Sequence, residues 1–592
     1  MPDDIRFPLK RRRAPVAAGE REFYRGGVTT AESQGVTLRW SEDELLPPEI
    51  RAALTGPGAP FEMEDMEVLG ATVRGFTRRA RTVNEWLAGA ESRFGDRPFM
   101  IFPERTITFA NLLPSVLSVA AALRDRYGVE KGDRVAIWSA NVPEHPIVAW
   151  ATSWLGAVAS EMNGWWTGPE MLHGIALTEP KVVFGDRRRL ERLEGFDVSV
   201  PLVCFEDTFA ELEAHTPLPT GWRPDLDEDD PLVILFTSGT TGRPKGATLT
   251  HRGHVHMMMQ AALGGAVKAA LAGAAPSSPP VTVGVSPMFH ISGYTTQIIG
   301  GVFLGGTWVF PPPGRWDEVT HMRLTEQYRA TSWSLVPTQL WRLLEHPDFE
   351  RFDLGSVTRV GGGGATFQPE LWRAVQERFG GHVAMGTGYG MSETCGAGTN
   401  MSPADAAAHP DAVGRAGPGL EIEIRDPAGQ VLPEGDVGEI HLRGAVTLVG
   451  YWANPEATAR SLDADRWYRA GEYGHIAGGL LYLDSRGSDL VIRGGENIYP
   501  IEIENRLIEH PEIAEVAVVG VEHRTLGQEV AAHVVRTPGS TLDAEAVQAW
   551  AAAELAPYKV PSIVLFPDAL PHNASGKVLK HLIGKPVNLV EE

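Results

Sequence analysis

The sequence predicts an α/β protein with a large N-terminal domain of helix-covered sheets and a small α+β domain at the C-terminal end. Three observations carry this. At 592 residues the chain is too long for a single hydrophobic core. From Val83 onward, short apolar runs alternate with stretches of helical periodicity. Near Asp484–Asp489 the pattern restarts as a compact unit of about 105 residues, a usual size for a small domain. The expected parts are therefore an N-terminal extension (1–82), a large domain (83–485) and a small domain (486–592).

The elements follow in order. The first stretch is polar, rich in Arg, Pro and Glu, and weakly periodic; it reads as an extension packed onto the body or partly disordered. Its Lys10-Arg11-Arg12-Arg13 run reads as a solvated charge run rather than a targeting patch. A helix is expected over 86–93, a strand over 99–102, an amphipathic helix over 112–127, and a turn into a buried strand over 133–138. Strands are expected over 182–184, 202–205 and 232–236. The punctuation at 275–280 marks a loop, because a strand-like run over 281–285 follows at once. In the last unit a helix over 503–509, strands over 514–519 and 530–535, and a helix over 544–554 are expected.

Composition narrows the function. Hydrophobic content of 43% and charged content of 22% are ordinary for a globular protein. A formal net charge of −22 argues against nucleic acid or an anionic membrane as the main partner, so a phosphate ligand needs a local cationic pocket or a metal ion. Cys204 and Cys395 are too few for a disulfide framework or a zinc site and fit a reducing compartment. No signal-peptide core opens the chain, and no 18-residue apolar run spans a membrane, so a cytoplasmic location is expected.

The most informative stretch is Thr237-Ser238-Gly239-Thr240-Thr241-Gly242-Arg243-Pro244-Lys245-Gly246, directly after the apolar run Leu232-Val233-Ile234-Leu235-Phe236. Glycines let backbone N–H groups converge on one point, hydroxyls add donors, and Arg243 and Lys245 add positive charge, so the loop suits a polyphosphate. It is not the familiar nucleotide loop, which needs Gly-Lys-Ser/Thr after four spacers. The string resembles the signature loop of the adenylate-forming superfamily, which includes acyl-CoA synthetases, adenylation domains and beetle luciferases.

Further segments match that superfamily in order from about Val83 to Lys580. Tyr389-Gly390-Met391-Ser392-Glu393-Thr394, after the Gly-rich turn that includes Gly363, Gly364 and Ala365, is similar to its Tyr-Gly-x-Thr-Glu pattern. The resemblance implies Tyr389 against adenine, Gly390 and Ser392 near phosphate, and Mg²⁺ on Glu393 and Thr241, in keeping with the preference of that ion for hard oxygen ligands. Pro287-Met288-Phe289-His290 resembles the segment before the acyl pocket of acyl-CoA synthetases, which implies Phe289 and His290 at the carboxylate site and the thiol approach. Downstream, Gly300, Gly301, Gly305 and Gly306 sit beside apolar residues and leave room for a ligand, which points to an apolar acid, a fatty acid first.

Gly438–Gly444 with Gly450-Tyr451 matches a segment whose job reads as structural. In Ala470-Gly471-Glu472 the family norm is Thr-Gly-Asp, whose aspartate grips ribose; Glu472 keeps the charge with one more methylene. Arg486 matches the ribose arginine, and Ser488 stands at the inter-domain pivot, commonly Asp or Lys. Gly494-Gly495-Glu496-Asn497 resembles the face that closes over the pantetheine tunnel. Lys577, with Tyr558-Lys559-Val560-Pro561 upstream, matches the terminal signature whose lysine drives adenylation. His251, His254 and His256 lack acidic or Cys co-ligands and read as structural, and no Gly-x-Ser-x-Gly elbow supplies a nucleophile.

The resemblance implies an AMP-forming acid–thiol ligase that uses ATP, Mg²⁺ and CoA, with Lys577, Glu393 and His290 as the catalytic set and a homodimer compatible with it. The alternatives are a ligase with an amine or carrier-protein acceptor, a luciferase-like oxygenase, and a non-catalytic nucleotide-binding relative.

Overall fold

The computed structural model describes residues 35–583, apart from 238–243, 275–277, 363–368, 487–488, 490, 494–495, 499, 524–526, 554, 556 and 573–577. Two seven-stranded sheets, largely parallel, organise the first part of the chain. In the first the strand order is Gly450–Tyr451, Lys245–Thr250, Pro231–Thr237, Val158–Glu161, Arg134–Trp138, Val182–Gly185, Leu202–Cys204. Its inner strands are parallel, with Val135 opposite Ala159 on one side and Val182 on the other. In the second the order is Ala384–Gly386, Arg359–Gly361, Ser332–Ser334, Val281–Val283, Thr307–Val309, Pro98–Ile101, Thr106–Thr108, parallel except at the last pair. Parallel strands need both faces covered. Their continuous apolar runs meet that need, and Trp138, Trp150, Trp154, Phe99 and Phe109 are fully buried.

Local signals account for the helix ends. Phe109–Tyr127 begins three residues before the apolar periodicity, because Thr108 and Asn111 form a capping box, and it ends at Gly128 with φ +63°. The helix expected over 86–93 is two helices, Asn84–Ala88 and Ala90–Phe94, separated at Gly89. The strand expected over 281–285 stops at Val283, where Gly284 lets the Phe310 ring approach to 2.5 Å from the place a Cβ would take. His251–Leu271 starts where Thr250 Oγ1 accepts from Gly253 N–H, which sets a helix directly behind the Thr237/Lys245 hairpin.

A third seven-stranded sheet is antiparallel and takes its edge strand, Thr37–Arg39, from the segment expected to be weakly patterned. The same segment forms a hairpin, Met63–Val68 with Ala71–Phe76, and Arg79 is buried against Glu228 at 2.8 Å. Residues 35–82 are thus ordered against the body, the first of the two readings of this stretch; the strand and hairpin themselves were not legible, because such elements bury only alternate side chains. The C-terminal segment has its own sheet, in which Ile513–His523 and Gly527–Arg536 pair antiparallel. Helices Pro500–Ile508 and Ala544–Ala552 contribute to its separate apolar cluster around Ile503, Val518, Val530 and Val547. Among the described residues no helix is long and apolar enough to cross a membrane.

Four imidazoles are buried in the large sheets' helical cover. Burial pushes His251, His256 and His321 down to about 3 and His254 to about 4. Each folded value lies below the ordinary 6.5, so in between the unfolded chain takes up protons that the native state refuses. The stability these groups contribute is complete above pH about 6.5 and is lost as pH falls towards about 3. Thermal unfolding followed across that window should show a steadily falling midpoint; a level one would mean the four rings are not held neutral.

Candidate active site

The site starts at a hairpin base. Pro231–Thr237 and Lys245–Thr250 pair antiparallel with Thr237 opposite Lys245, so the two ends of the glycine-hydroxyl loop stand side by side. Ser238, Gly239, Thr240, Thr241, Gly242 and Arg243 lie outside the described residues. Gly450–Tyr451 adds to the outer edge, with Ala247 opposite Tyr451 and Trp452 N–H donating to Gly246 C=O at 2.7 Å. Gly246 is required there, since a Cβ would stand 2.6 Å from Ile234 Cγ2.

This edge holds Glu393. The carboxylate is buried at 7% exposure, and its Oε1 accepts from Tyr451 OH at 2.9 Å. Tyr468 OH stands 3.2 Å from Tyr451 OH, and the Thr237 side chain also hydrogen-bonds Glu393. Leu448 N–H donates to the Glu393 main-chain carbonyl at 2.8 Å, so backbone and side chain are fixed by one segment. Burial raises the Glu393 pKa, the hydrogen bonds from Tyr451 and Thr237 oppose that, and the charge of nearby Glu472 adds to it. Lys245 Nζ lies 5.0 Å from the centroid of the Tyr451 ring. Thr237, Lys245, Glu393, Tyr451 and Glu472 therefore converge, although Thr237 and Glu472 stand 235 positions apart in the sequence.

The Tyr389 loop closes another side. Ala384–Gly386 and Arg359–Gly361 end together at the carboxyl edge of their parallel sheet, the edge where α/β ligand sites form. Gly363, Gly364 and Ala365 fall outside the described residues. Tyr389 N–H donates to Thr399 Oγ1 and Tyr389 C=O accepts from Thr399 N–H at 2.8 Å, which sets the half-buried ring beside the Ser392–Thr394 turn. Gly390 allows this fold-back, because a Cβ would meet Gly396 O at 2.3 Å. Glu472 and Arg486, the two ribose candidates, are cross-strand partners in the ladder of Tyr468–Ala477 with Leu480–Arg486. The Arg486 side chain, Ser488, Gly494, Gly495 and Lys577 lie outside what the structure describes.

His290 is exposed and caps a turn, with Nδ1 accepting from Ser292 N–H at 3.3 Å and 3.0 Å from Ser292 Oγ. Gly293 permits that turn, since a Cβ would stand 1.9 Å from Pro287 O. Phe289 packs edge-on against exposed Trp165 with centroids 4.9 Å apart. The glycines read as room for a ligand serve packing instead. A Cβ at Gly301 would meet Phe99 at 2.6 Å, one at Gly305 would meet Phe94 at 2.4 Å, and Gly300 faces Met258. That removes the argument for a long aliphatic chain drawn from them. A separate cavity of about 200 Å³, lined by Pro311, Trp316, His321 and neighbours, includes none of the candidate site residues.

Sequence reasoning assigned Tyr451 only to a structural segment and gave Tyr468 no role. The signal was there in an aromatic hydroxyl after Gly450, but only pairing against Lys245–Thr250 aims it at Glu393. Among the described residues no group of three or more His, Cys, Asp or Glu side chains is arranged to hold a metal by itself.

Residues 87–452 match the AMP-binding enzyme family and residues 502–577 match the AMP-binding enzyme C-terminal domain. Indoleacetate–CoA ligase of Aromatoleum aromaticum is 34% identical over 84% of this chain and 96% of its own length. Feruloyl-CoA synthase of an Amycolatopsis species is 33% identical over 80% of this chain and 92% of its own. ATP-bound MatB from Rhodopseudomonas palustris superposes with a TM-score of 0.75 at 30% identity, covering 84% of this chain and 98% of that one. The chain belongs to the AMP-binding, adenylate-forming enzymes. Within them it is an acyl-CoA synthetase, a CoA ligase of the AMP-forming type.

A Tyr451→Phe variant tests the Glu393 geometry. Losing a hydrogen bond to a charged group costs about 1.5–3 kcal/mol. The Tyr451 bond lowers the Glu393 pKa, so its removal raises that pKa, and the acid limb of the pH profile for pyrophosphate release should move to higher pH. An acid limb that does not move would remove Tyr451 from the site.

Proposed function

We propose that this enzyme activates an apolar carboxylic acid with MgATP and passes the acyl group to CoA. The observation that carries the reading is the convergence of Thr237, Lys245 and the buried Glu393 carboxylate at the base of the glycine-hydroxyl loop. The acid's carboxylate attacks the α-phosphate; the bond to the β-phosphate breaks, pyrophosphate leaves, and an acyl-adenylate remains. Residues 237–245 hold the β- and γ-phosphates with backbone N–H groups, hydroxyls and the Lys245 ammonium. Glu393 fits Mg²⁺ by its donor chemistry: a buried carboxylate, with the Thr237 hydroxyl beside it and a second carboxylate, Glu472, close enough to raise its pKa. The ion brought in with ATP supplies charge neutralisation on the phosphates.

Tyr389 stacks on the base and Glu472, opposite Arg486, holds ribose hydroxyls. Lys577 stabilises charge on the transferred phosphate and is worth about 3–4 kcal/mol, by analogy with loss of one oxyanion donor. The segment beyond residue 486 then turns about Ser488, which withdraws Lys577 and brings 494–497 over the site. CoA thiol attacks the adenylate carbonyl, and AMP leaves. No covalent enzyme intermediate is required.

The acid is apolar, and aromatic acids stand beside fatty acids as candidates. Support comes from the relatives named for indoleacetate and ferulate, and from glycines at 300–306 that are filled by packing. The decisive assay is acid-dependent pyrophosphate release and CoA-dependent AMP release with aliphatic, arylacetic, arylpropenoic and polycyclic acids. Pyrophosphate without CoA-dependent AMP release would instead favour an amine or carrier acceptor. Lys577→Ala should abolish adenylation and spare thioester formation from supplied acyl-adenylate; equal loss of both halves would refute its role.

A further inference from the structure

The segment that carries His290 has no strand or helix between Val283 and Ile291, yet its backbone is held at several points. Asn141, on the loop that leaves Arg134–Trp138, grips it twice. Its Nδ2 donates to Ser286 C=O at 2.9 Å and its Oδ1 accepts from Met288 N–H at 2.9 Å. One planar amide thus does for this loop what a neighbouring strand would do, pairing a carbonyl and an N–H two residues apart. Gln297 Nε2 donates to the same Ser286 carbonyl at 3.0 Å, and His290 N–H donates to Pro287 C=O at 3.1 Å. Met288 is fully buried, so this register decides where Phe289 and His290 emerge.

The Asn141 loop is itself braced. Ala140 N–H donates to Asp186 Oδ2 at 2.8 Å, and Arg189 holds the same oxygen at 2.6 Å. Ser139 Oγ lies 2.9 Å from His145 Nδ1, and His145 Nε2 lies 2.9 Å from the Glu161 carboxylate. Ser139, His145 and Glu161 are all fully buried. A buried pair of this kind is weak evidence for net stability, because desolvation offsets the Coulomb attraction. What it does supply here is a fixed anchor under the loop that holds residues 286–288.

We infer that Asn141 is a positioning residue for thioester formation: it sets the Ser286–Met288 backbone so that Phe289 and His290 border the path of the thiol. The inference rests on the function proposed above, together with the thiol approach at His290 that the family resemblance implies. Only an amide satisfies both contacts. In Asn141→Asp a carboxylate oxygen would face the Ser286 carbonyl oxygen, and in Asn141→Leu both backbone groups lose their partner.

The test uses the full-length protein and an acid that the wild type accepts. Pyrophosphate release in a single turnover reads the first half-reaction; thioester formation from supplied acyl-adenylate and CoA reads the second; a thermal midpoint accompanies each. Asn141→Asp and Asn141→Leu should slow the second half on the order of tenfold or more, since small misplacements of reacting groups carry such penalties, and leave the first half near wild type. Gln297→Met should shift the ratio in the same direction by less, because Asn141 still holds Ser286. Ser153→Ala, which removes a buried bond to Asn84 at 2.7 Å in the helical core, is the control: it should lower the midpoint without changing the ratio of the halves. Variants of Asn141 that leave both halves unchanged, or lose both in proportion to the midpoint as Ser153→Ala does, overturn the inference. A wild type that releases no pyrophosphate with any acid fails the function reading instead, and the two failures are told apart by that one measurement.

Discussion

The buried carboxylate of Glu393 is the constraint around which the site is arranged. A carboxylate at 7% exposure is costly unless donors face it, and the chain supplies them from two remote segments, Tyr451 and Thr237, while Leu448 N–H holds the same residue's main-chain carbonyl. Each donor is in place because Gly450–Tyr451 pairs with Lys245–Thr250, which pairs with Pro231–Thr237. Sheet pairing and charge burial are therefore one arrangement. If the edge strand slipped by one residue, Tyr451 would point to the other face and the carboxylate would lose its donor.

The same logic explains why the departures at Ala470 and Glu472 are compatible with the family's chemistry. Glu472 keeps a negative charge near Glu393 and faces Arg486 across the ladder. Two carboxylates close together favour a cation between or beside them, so the extra methylene changes reach more than sign. The relatives show what varies around such a framework, since enzymes named for indoleacetate and ferulate share most of their length with this chain. Around Glu393 and Tyr389 the site is fixed by backbone geometry, since Gly390 and Gly246 tolerate no Cβ.

A second support runs beneath the His290 segment. Asn141, Asp186 and the Ser139–His145–Glu161 chain come from the ends of adjacent parallel strands, Arg134–Trp138, Val158–Glu161 and Val182–Gly185. Loops at the carboxyl edge of a parallel sheet lie close together because the strands below them are in register. The sheet thus brings one hydrogen-bonding frame to the loop of another sheet.

Much of this was legible before folding was considered. The alternation of apolar runs and helical periodicity, the loop at 237–246 and the Tyr389–Glu393 segment were readable because short-range rules write them: burial on both faces of a parallel strand and glycine where backbone must turn. Residues 35–82 were not, because their strand and hairpin gain their partners from residues 421–425 and from each other across a bend that composition does not record. Tyr451 and Asn141 were hidden for the same reason, and the glycines at 300–306 were misread because a glycine beside apolar residues looks alike whether a ligand or the Phe99 and Phe94 rings fill the space. Local chemistry, carried by neighbours a few residues apart, was determined by the sequence alone. Which distant side chains share a proton or a carbonyl was decided by strand register in the tertiary structure, since hydrogen bonds act over about 3 Å and only the fold brings residues hundreds of positions apart within that reach.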